Sequence, residues 1–139
     1  MLALDLGERR IGVALSDEGR TIAQPLTVLA RAGRDKDVAA IAALAAEHRA
    51  GLIVLGLPRQ ADDSLAPMGE KALTLGRRLA RVTGLAVAYV DEFETTVEAH
   101  AAMLEGNASR QKRRSAVDKL AAALILRRYL DGQGREEIA

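Results

Sequence analysis

The 139-residue chain has no cysteine and no tryptophan, and its only other aromatics are one phenylalanine and two tyrosines. The missing cysteines exclude disulfides, thiolate metal sites and a cysteine nucleophile. The near-absence of aromatics leaves alanine, leucine, valine and isoleucine to build the interior, since hydrophobic residues still make up 49% of the chain. No apolar run approaches a membrane span, and no signal peptide is expected before the first strand. The expectation is therefore a soluble, cytoplasmic protein with no membrane partner, folded as one domain over residues 1–139, with a tail that frays from about residue 132. A net charge of +1 says little about partners. Its distribution says more, because Arg110, Lys112, Arg113 and Arg114 are clustered.

The most informative stretch is Leu2–Asp17, LALDLGERRIGVALSD. Leu2, Leu4 and Leu6 alternate with Ala3, Asp5 and Gly7, and Ile11, Val13 and Leu15 alternate with Gly12, Ala14 and Ser16. Both follow the period-2 pattern of a strand. If Gly7–Arg10 closes a regular hairpin, Leu6 faces Ile11, Leu4 faces Val13 and Asp5 lies opposite Gly12. The branched residues then share one face, and the other carries small residues around one carboxylate. An unpaired carboxylate in a central strand costs several kcal/mol, so Asp5 calls for a cation, and its small neighbours leave room for one.

Further along, Thr21–Leu29 reads as a third strand, placed at an edge by Pro25. Gly33–Ala50 is an alanine-rich helix with Val38, Ile41, Ala42, Ala45 and Ala46 at helical spacing. Leu52–Leu57 is a buried parallel strand, and Gly56-Leu57-Pro58 reads as the turn that closes it. A polar loop through Ser64 leads to a helix over Pro67–Thr83, striped by Ala72, Leu75, Leu79 and Val82, with Gly84 as C-cap. Leu85–Val90 is a second buried strand, running into Asp91 and Glu92. Thr95–Leu104 is a helix with Thr95 and Glu98 at capping-box spacing. A polar, basic segment, Glu105–Arg114, precedes a last helix from about Ser115 to Leu130. Adjacency of sequential strands and right-handed crossovers give an α/β fold: a mixed five-stranded sheet, antiparallel meander first and parallel strands after, with helices on both faces.

Three acids are candidates for chemistry. Asp5 lies within the first strand, Glu92 at the carboxyl end of the last, and Asp118 at the start of the final helix. Strand carboxyl ends are where open α/β sheets bind ligands. Three converging carboxylates without an arginine partner require a divalent cation, and oxygen-only ligation favours Mg²⁺ or Mn²⁺. Each acid also has an ordinary structural reading. Asp5 fits a satisfied polar residue near a turn, Asp91–Glu92 fit ordinary loop acids, and Ser115–Asp118 fits a capping box, while Glu94 rivals Glu92 for the functional role. The cations Arg110, Lys112, Arg113 and Arg114, with Arg9 and Arg10 from the hairpin turn, are candidates for nucleic-acid phosphates. Phe93 is the lone aromatic near these acids, so backbone or shape recognition is expected over base reading. His48 and His100 have no acidic or serine partner at triad spacing and read as surface or core-edge residues.

Four ordered stretches, LALDLGERRIGVALSD, LIVLGLPR, the Asp91–Thr96 run DE-x-x-TT and SRQKRRSAVDKLAAALIL, resemble the bacterial YqgF/RuvX proteins over nearly the whole chain. That family is described as pre-16S ribosomal RNA nucleases or Holliday-junction-resolvase-like proteins. The resemblance implies an RNase H-like fold with sheet order 3-2-1-4-5 and places the motif acids at Asp5, Glu92 and Asp118. It suggests pre-16S rRNA as the substrate first and branched DNA second; the three acids on converging elements are expected to serve a two-metal phosphodiester hydrolysis, in a monomer or homodimer. This chain departs from the family pattern at Phe93 and Glu94, where Arg and Leu are usual, and at Glu8, where a small hydroxyl residue is usual. The hairpin also resembles the phosphate-binding hairpin of sugar kinases and actin-like ATPases, which close nucleotide between two such domains; only one is expected here. A non-catalytic RNA-binding assembly factor is the third reading.

Overall fold

The computed structural model describes residues 1–60, 62, 64–92, 110–132 and 135–137, with 110–116 and 135–137 as backbone only. Its elements in chain order are β1 (Leu2–Leu6), β2 (Arg10–Ser16), β3 (Ala23–Ala30), α1 (Arg34–Glu47), β4 (Leu52–Pro58), α2 (Pro67–Thr83), β5 (Ala86–Glu92), α3 (Arg110–Leu130) and β6 (Arg135–Glu137). The sheet runs β3-β2-β1-β4-β5-β6. β1, β2 and β3 pair antiparallel, whereas β4 lies parallel to both β1 and β5. The first five strands thus take the expected order 3-2-1-4-5. A sixth is added by the tail, where fraying was expected: Arg135–Glu137 pairs antiparallel with Val87–Tyr89 and covers the β5 edge.

The hairpin adopts the register that its alternation dictates, with Leu4 opposite Val13, Asp5 opposite Gly12 and Leu6 opposite Ile11. Its turn is closed by the Gly7 N–H donating to the Arg10 carbonyl at 2.8 Å. β3 is the opposite edge, and its register on β2 shifts between Val13 and Ala14, beside Pro25. A proline has no N–H to give to the ladder, which suits it to an edge and a bulge.

Period-2 alternation divides the sheet into two unlike faces. Leu2, Leu4, Leu6, Ile11, Val13, Ile53, Leu55, Leu57, Val87 and Tyr89 pack with Val38, Ile41 and Ala45 of α1 and Ala72, Leu75 and Leu79 of α2. The stripe ends sooner than its spacing suggests, because Val82 is 60% exposed. α2 begins with Pro67 at its first turn and ends at Gly84, whose φ of 73° is the left-handed cap conformation. On the other face Ala3, Ala14, Leu52, Val54, Ala88 and Val90 receive Ala122, Ala123, Ile125 and Leu126 of α3. The sheet contributes smaller side chains here, so α3 lies close to the strands.

α3 begins earlier than expected. Arg110–Arg114, read as a loop, is its first turn and more, so Ser115 is not an N-cap and Asp118 sits inside the helix. The reason is local: Arg, Gln and Lys are good helix formers, and nothing from 110 to 114 stops propagation. Gly56-Leu57-Pro58, read as a turn, lies within β4, which continues to Pro58. The expected helix Thr95–Leu104, with Thr95, Glu98 and His100, and the residues Phe93 and Glu94 lie outside the described residues.

Candidate active site

Asp5 and Glu92 take the α3 face of the sheet, and Asp118 lies on α3 within reach of Asp5 by charge. Asp5 takes the same side of β1 as Ala3, and Glu92 the same side of β5 as Ala88 and Val90, both opposite in parity to the leucine-rich core. Asp91, one residue earlier, faces the other way and pairs with Arg59 Nε at 2.7 Å. Parity therefore separates the two adjacent acids.

Two glycines open the space on either side of Asp5. Gly12 stands opposite Asp5 on β2, and a Cβ there would collide with the main-chain carbonyl of Asp118. A side chain at position 12 would lift α3 off the sheet at the turn that carries Asp118. On the other flank Leu4 pairs with Leu55, which puts Gly56 beside Asp5. A Cβ on Gly56 would stand 2.6 Å from Glu92 Oε2 and 2.6 Å from Ile125 Cδ1. Glu92 reaches from β5 across the bare backbone of β4 towards Asp5. The room left by small residues was expected to serve a cation; it is taken by the main chain of Asp118 and the side chain of Glu92.

The electrostatics follow from this crowding. Burial, and then the charge of Asp118, raise the Asp5 carboxyl from 3.8 to about 6. Burial, and then the charge of Asp5, raise Glu92 from 4.5 to about 8, with Arg128 pulling weakly the other way. Among the described residues no hydrogen-bond donor reaches the side chain of either acid. Asp118 differs: its Oδ2 accepts from Arg10 Nε at 2.7 Å. Three carboxylates without an arginine partner were expected, so this pair is a correction. It joins positions too far apart in the chain for spacing to reveal. The effect of Arg128 on Glu92 was missed too, although a helical stripe through Ile125 would have pointed towards it.

Asp5 and Glu92, partly buried and with no donor among the described residues, and Asp118 on the facing helix are all oxygen ligands, the donor type that suits a hard divalent cation such as Mg²⁺ or Mn²⁺. Asp5, Glu92 and Asp118 are the residues that would hold it. As the side chains stand, no three acids or histidines among the described residues are grouped closely enough to share an ion. Asp118 is instead engaged with Arg10.

Of the expected phosphate contacts, Arg9 is exposed in the hairpin turn and Arg10 faces Asp118. The backbone at Arg110, Lys112, Arg113 and Arg114 lies in α3 immediately before Asp118, while their side chains lie outside the description. His48 caps the C-terminus of α1 through its backbone and is away from the acids. No helix among the described residues is long and apolar enough to cross a membrane.

The chain is 44% identical over 131 residues to a protein of Clostridium beijerinckii, covering 94% of this chain and 95% of the relative. It is 41% identical over 134 residues to one of Caldanaerobacter subterraneus, covering 96% of each. Both relatives carry the provisional name pre-16S rRNA nuclease. The structure is similar to T. thermophilus RuvC in complex with a Holliday junction substrate, with a TM-score of 0.58 at 17% identity over 98% of both chains. At that identity the likeness establishes the fold, which is that of the RNase H-like resolvases. The family model described as "RuvX: Holliday junction resolvase" matches residues 1–132, and the chain belongs to that family.

Proposed function

We propose that the protein is a metal-dependent endonuclease that hydrolyses phosphodiester bonds in structured nucleic acid, with the 5′ end of pre-16S rRNA as its substrate in the cytoplasm. The observation that carries this reading is the placement of Asp5 and Glu92 beneath α3 with Asp118 on it: burial and then the charge of Asp118 raise the pKa of Asp5, and burial and then the charge of Asp5 raise that of Glu92. Such an arrangement is unfavourable in the free protein and favourable around cations. Residues 5, 92 and 118 would hold two ions, and Asp5 would be the shared ligand because it lies inside a central strand rather than at a strand end. Such ions would supply Lewis acidity for phosphodiester hydrolysis. The carboxylates fix where the ionic charge sits. The cations at Arg9 and along Arg110–Arg114 orient the phosphate backbone without reading bases. The products are a 5′-phosphate and a 3′-hydroxyl.

The names of the relatives favour rRNA, and the family description favours a four-way DNA junction as the second reading. Paired symmetric nicks in a junction would need a two-fold dimer. A side-by-side assay on single-stranded RNA, duplex RNA and four-way junctions, with Mg²⁺ or Mn²⁺, separates them. Cleavage is expected to vanish in D5N, E92Q and D118N while nucleic-acid binding persists. Preference for junctions over every RNA reverses the substrate order. Metal-independent binding without turnover in the unsubstituted protein makes it an assembly factor instead.

A further inference from the structure

We infer that Arg10 is a built-in counter-ion that holds Asp118 away from the acid cluster until a divalent cation displaces it, so that the site assembles only on metal binding. The inference rests on the nuclease reading for the identity of the ligands, and adds a positioning residue to it.

Arg10 and Asp118 meet at 2.7 Å from elements 108 residues apart, β2 and α3. Their side chains are 37% and 25% exposed, so the pair lies at the rim, where a small cation has access from solvent. The main chain at Asp118 cannot travel, because its carbonyl rests on Gly12. Only the side chain has a choice. On one side is the Arg10 guanidinium. On the other is Asp5, near enough for the charge of Asp118 to be felt there.

Without an ion the choice is simple: Asp118 gains a charge-assisted hydrogen bond at Arg10, and turning to Asp5 and Glu92 would add a third carboxylate to two that already repel. This accounts for the lack of three acids grouped for an ion among the described residues. A divalent cation on Asp5 and Glu92 reverses the sign of the field that Asp118 meets. The carboxylate then rotates about its own side-chain bonds onto the ion, and Arg10 is released at the mouth of the site. There it joins Arg9 of the same turn and can receive a phosphate oxygen of the incoming strand. Metal affinity is consequently lower than three free carboxylates would provide.

The test uses the full-length protein without nucleic acid. Mg²⁺ and Mn²⁺ affinities are measured by calorimetry for the wild type, R10Q, R10K and R9Q. R10Q removes the competitor and is expected to tighten binding about fivefold, the scale of a partly exposed ion pair. R10K, which can still pair, falls between R10Q and wild type. R9Q removes the same charge from the same turn without touching Asp118, and is expected to change affinity less than about twofold. In parallel, the Arg10 Nε–H resonance, assigned by its loss in R10Q, is expected to shift towards that of a solvated arginine as Mg²⁺ saturates the protein. An equal effect of R9Q and R10Q reduces Arg10 to a general field and overturns the inference. So does an Nε–H resonance unmoved by saturating metal, even where Asp5-dependent cleavage is intact. Metal binding and Arg10 release without cleavage of any nucleic acid would sink the nuclease reading and leave the switch standing. Absence of metal binding in both wild type and R10Q removes both.

Discussion

Asp5→Asn is the substitution whose consequences the structure defines most sharply, because it separates stability from function. Asparagine has nearly the shape of the acid and fits the space between Gly12 and Gly56. In the wild type the folded state holds the Asp5 proton up to about pH 6, whereas the unfolded chain releases it near 3.8. Between these values the folded state binds more protons than the unfolded one, so stability falls as pH rises through the window and stays lower above it. At ~1.4 kcal/mol per tenfold change in proton affinity, the full penalty is ~3 kcal/mol, and partial solvent exposure of the carboxyl reduces it to ~1–2 kcal/mol. D5N has no such penalty, and it also lifts the repulsion on Glu92. In EDTA it is therefore expected to melt ~3–8 °C above wild type at about pH 7 and level with it at about pH 4. Thermal melts followed by circular dichroism at the two pH values measure this. A gain equal at both, or a loss at neutral pH, would refute the claim that Asp5 is ionised against its surroundings.

Three further outcomes follow from the same geometry. Ions bind deprotonated carboxylates, so with Asp5 at about 6 and Glu92 at about 8, Mg²⁺ affinity should rise and protons be released as the buffer moves from pH 6 towards 8; calorimetry in buffers of different ionisation enthalpy reports both, and a flat profile contradicts the assigned crowding. Gly12→Ala forces a methyl group into the Asp118 carbonyl and should destabilise by ~3 kcal/mol or more in urea denaturation, whereas an alanine tolerated within ~0.5 kcal/mol would show that α3 does not press on β2 there. Asp37, 4% exposed, accepts from Arg31 Nε at 2.8 Å and from the Ala32 N–H at 2.9 Å, while Arg31 also donates to the Gly7 carbonyl; Asp37→Ala leaves a guanidinium unpaired beside the hairpin turn and should lose ~3 kcal/mol, with metal binding little changed.

The hairpin register was readable because a tight Gly7–Arg10 turn puts Leu4, Leu6, Ile11 and Val13 on a common face, and a one-residue slip of either strand would turn that strand's pair to the other face. The parallel strands β4 and β5 were readable as short apolar runs, and their parity separated Glu92 from Asp91 once the sheet was formed. The start of α3 was not readable. Ser115–Asp118 has the spacing of a cap, but a cap signature cannot stop a helix whose preceding residues also favour helix. The last strand was missed because three polar residues in a tail carry no alternation, and pairing with the β5 edge is a tertiary event.

The linear sequence determined which acids could matter and on which elements they ride, since periodicity is local and sets the face each side chain takes. It also showed glycine at positions 12 and 56, but not what would enter the space. The tertiary structure decided that: α3 settles its backbone on Gly12, Glu92 reaches over Gly56, and Arg10 pairs with Asp118. These are contacts between elements distant in the chain, governed by through-space charge and close packing, and no spacing rule encodes them.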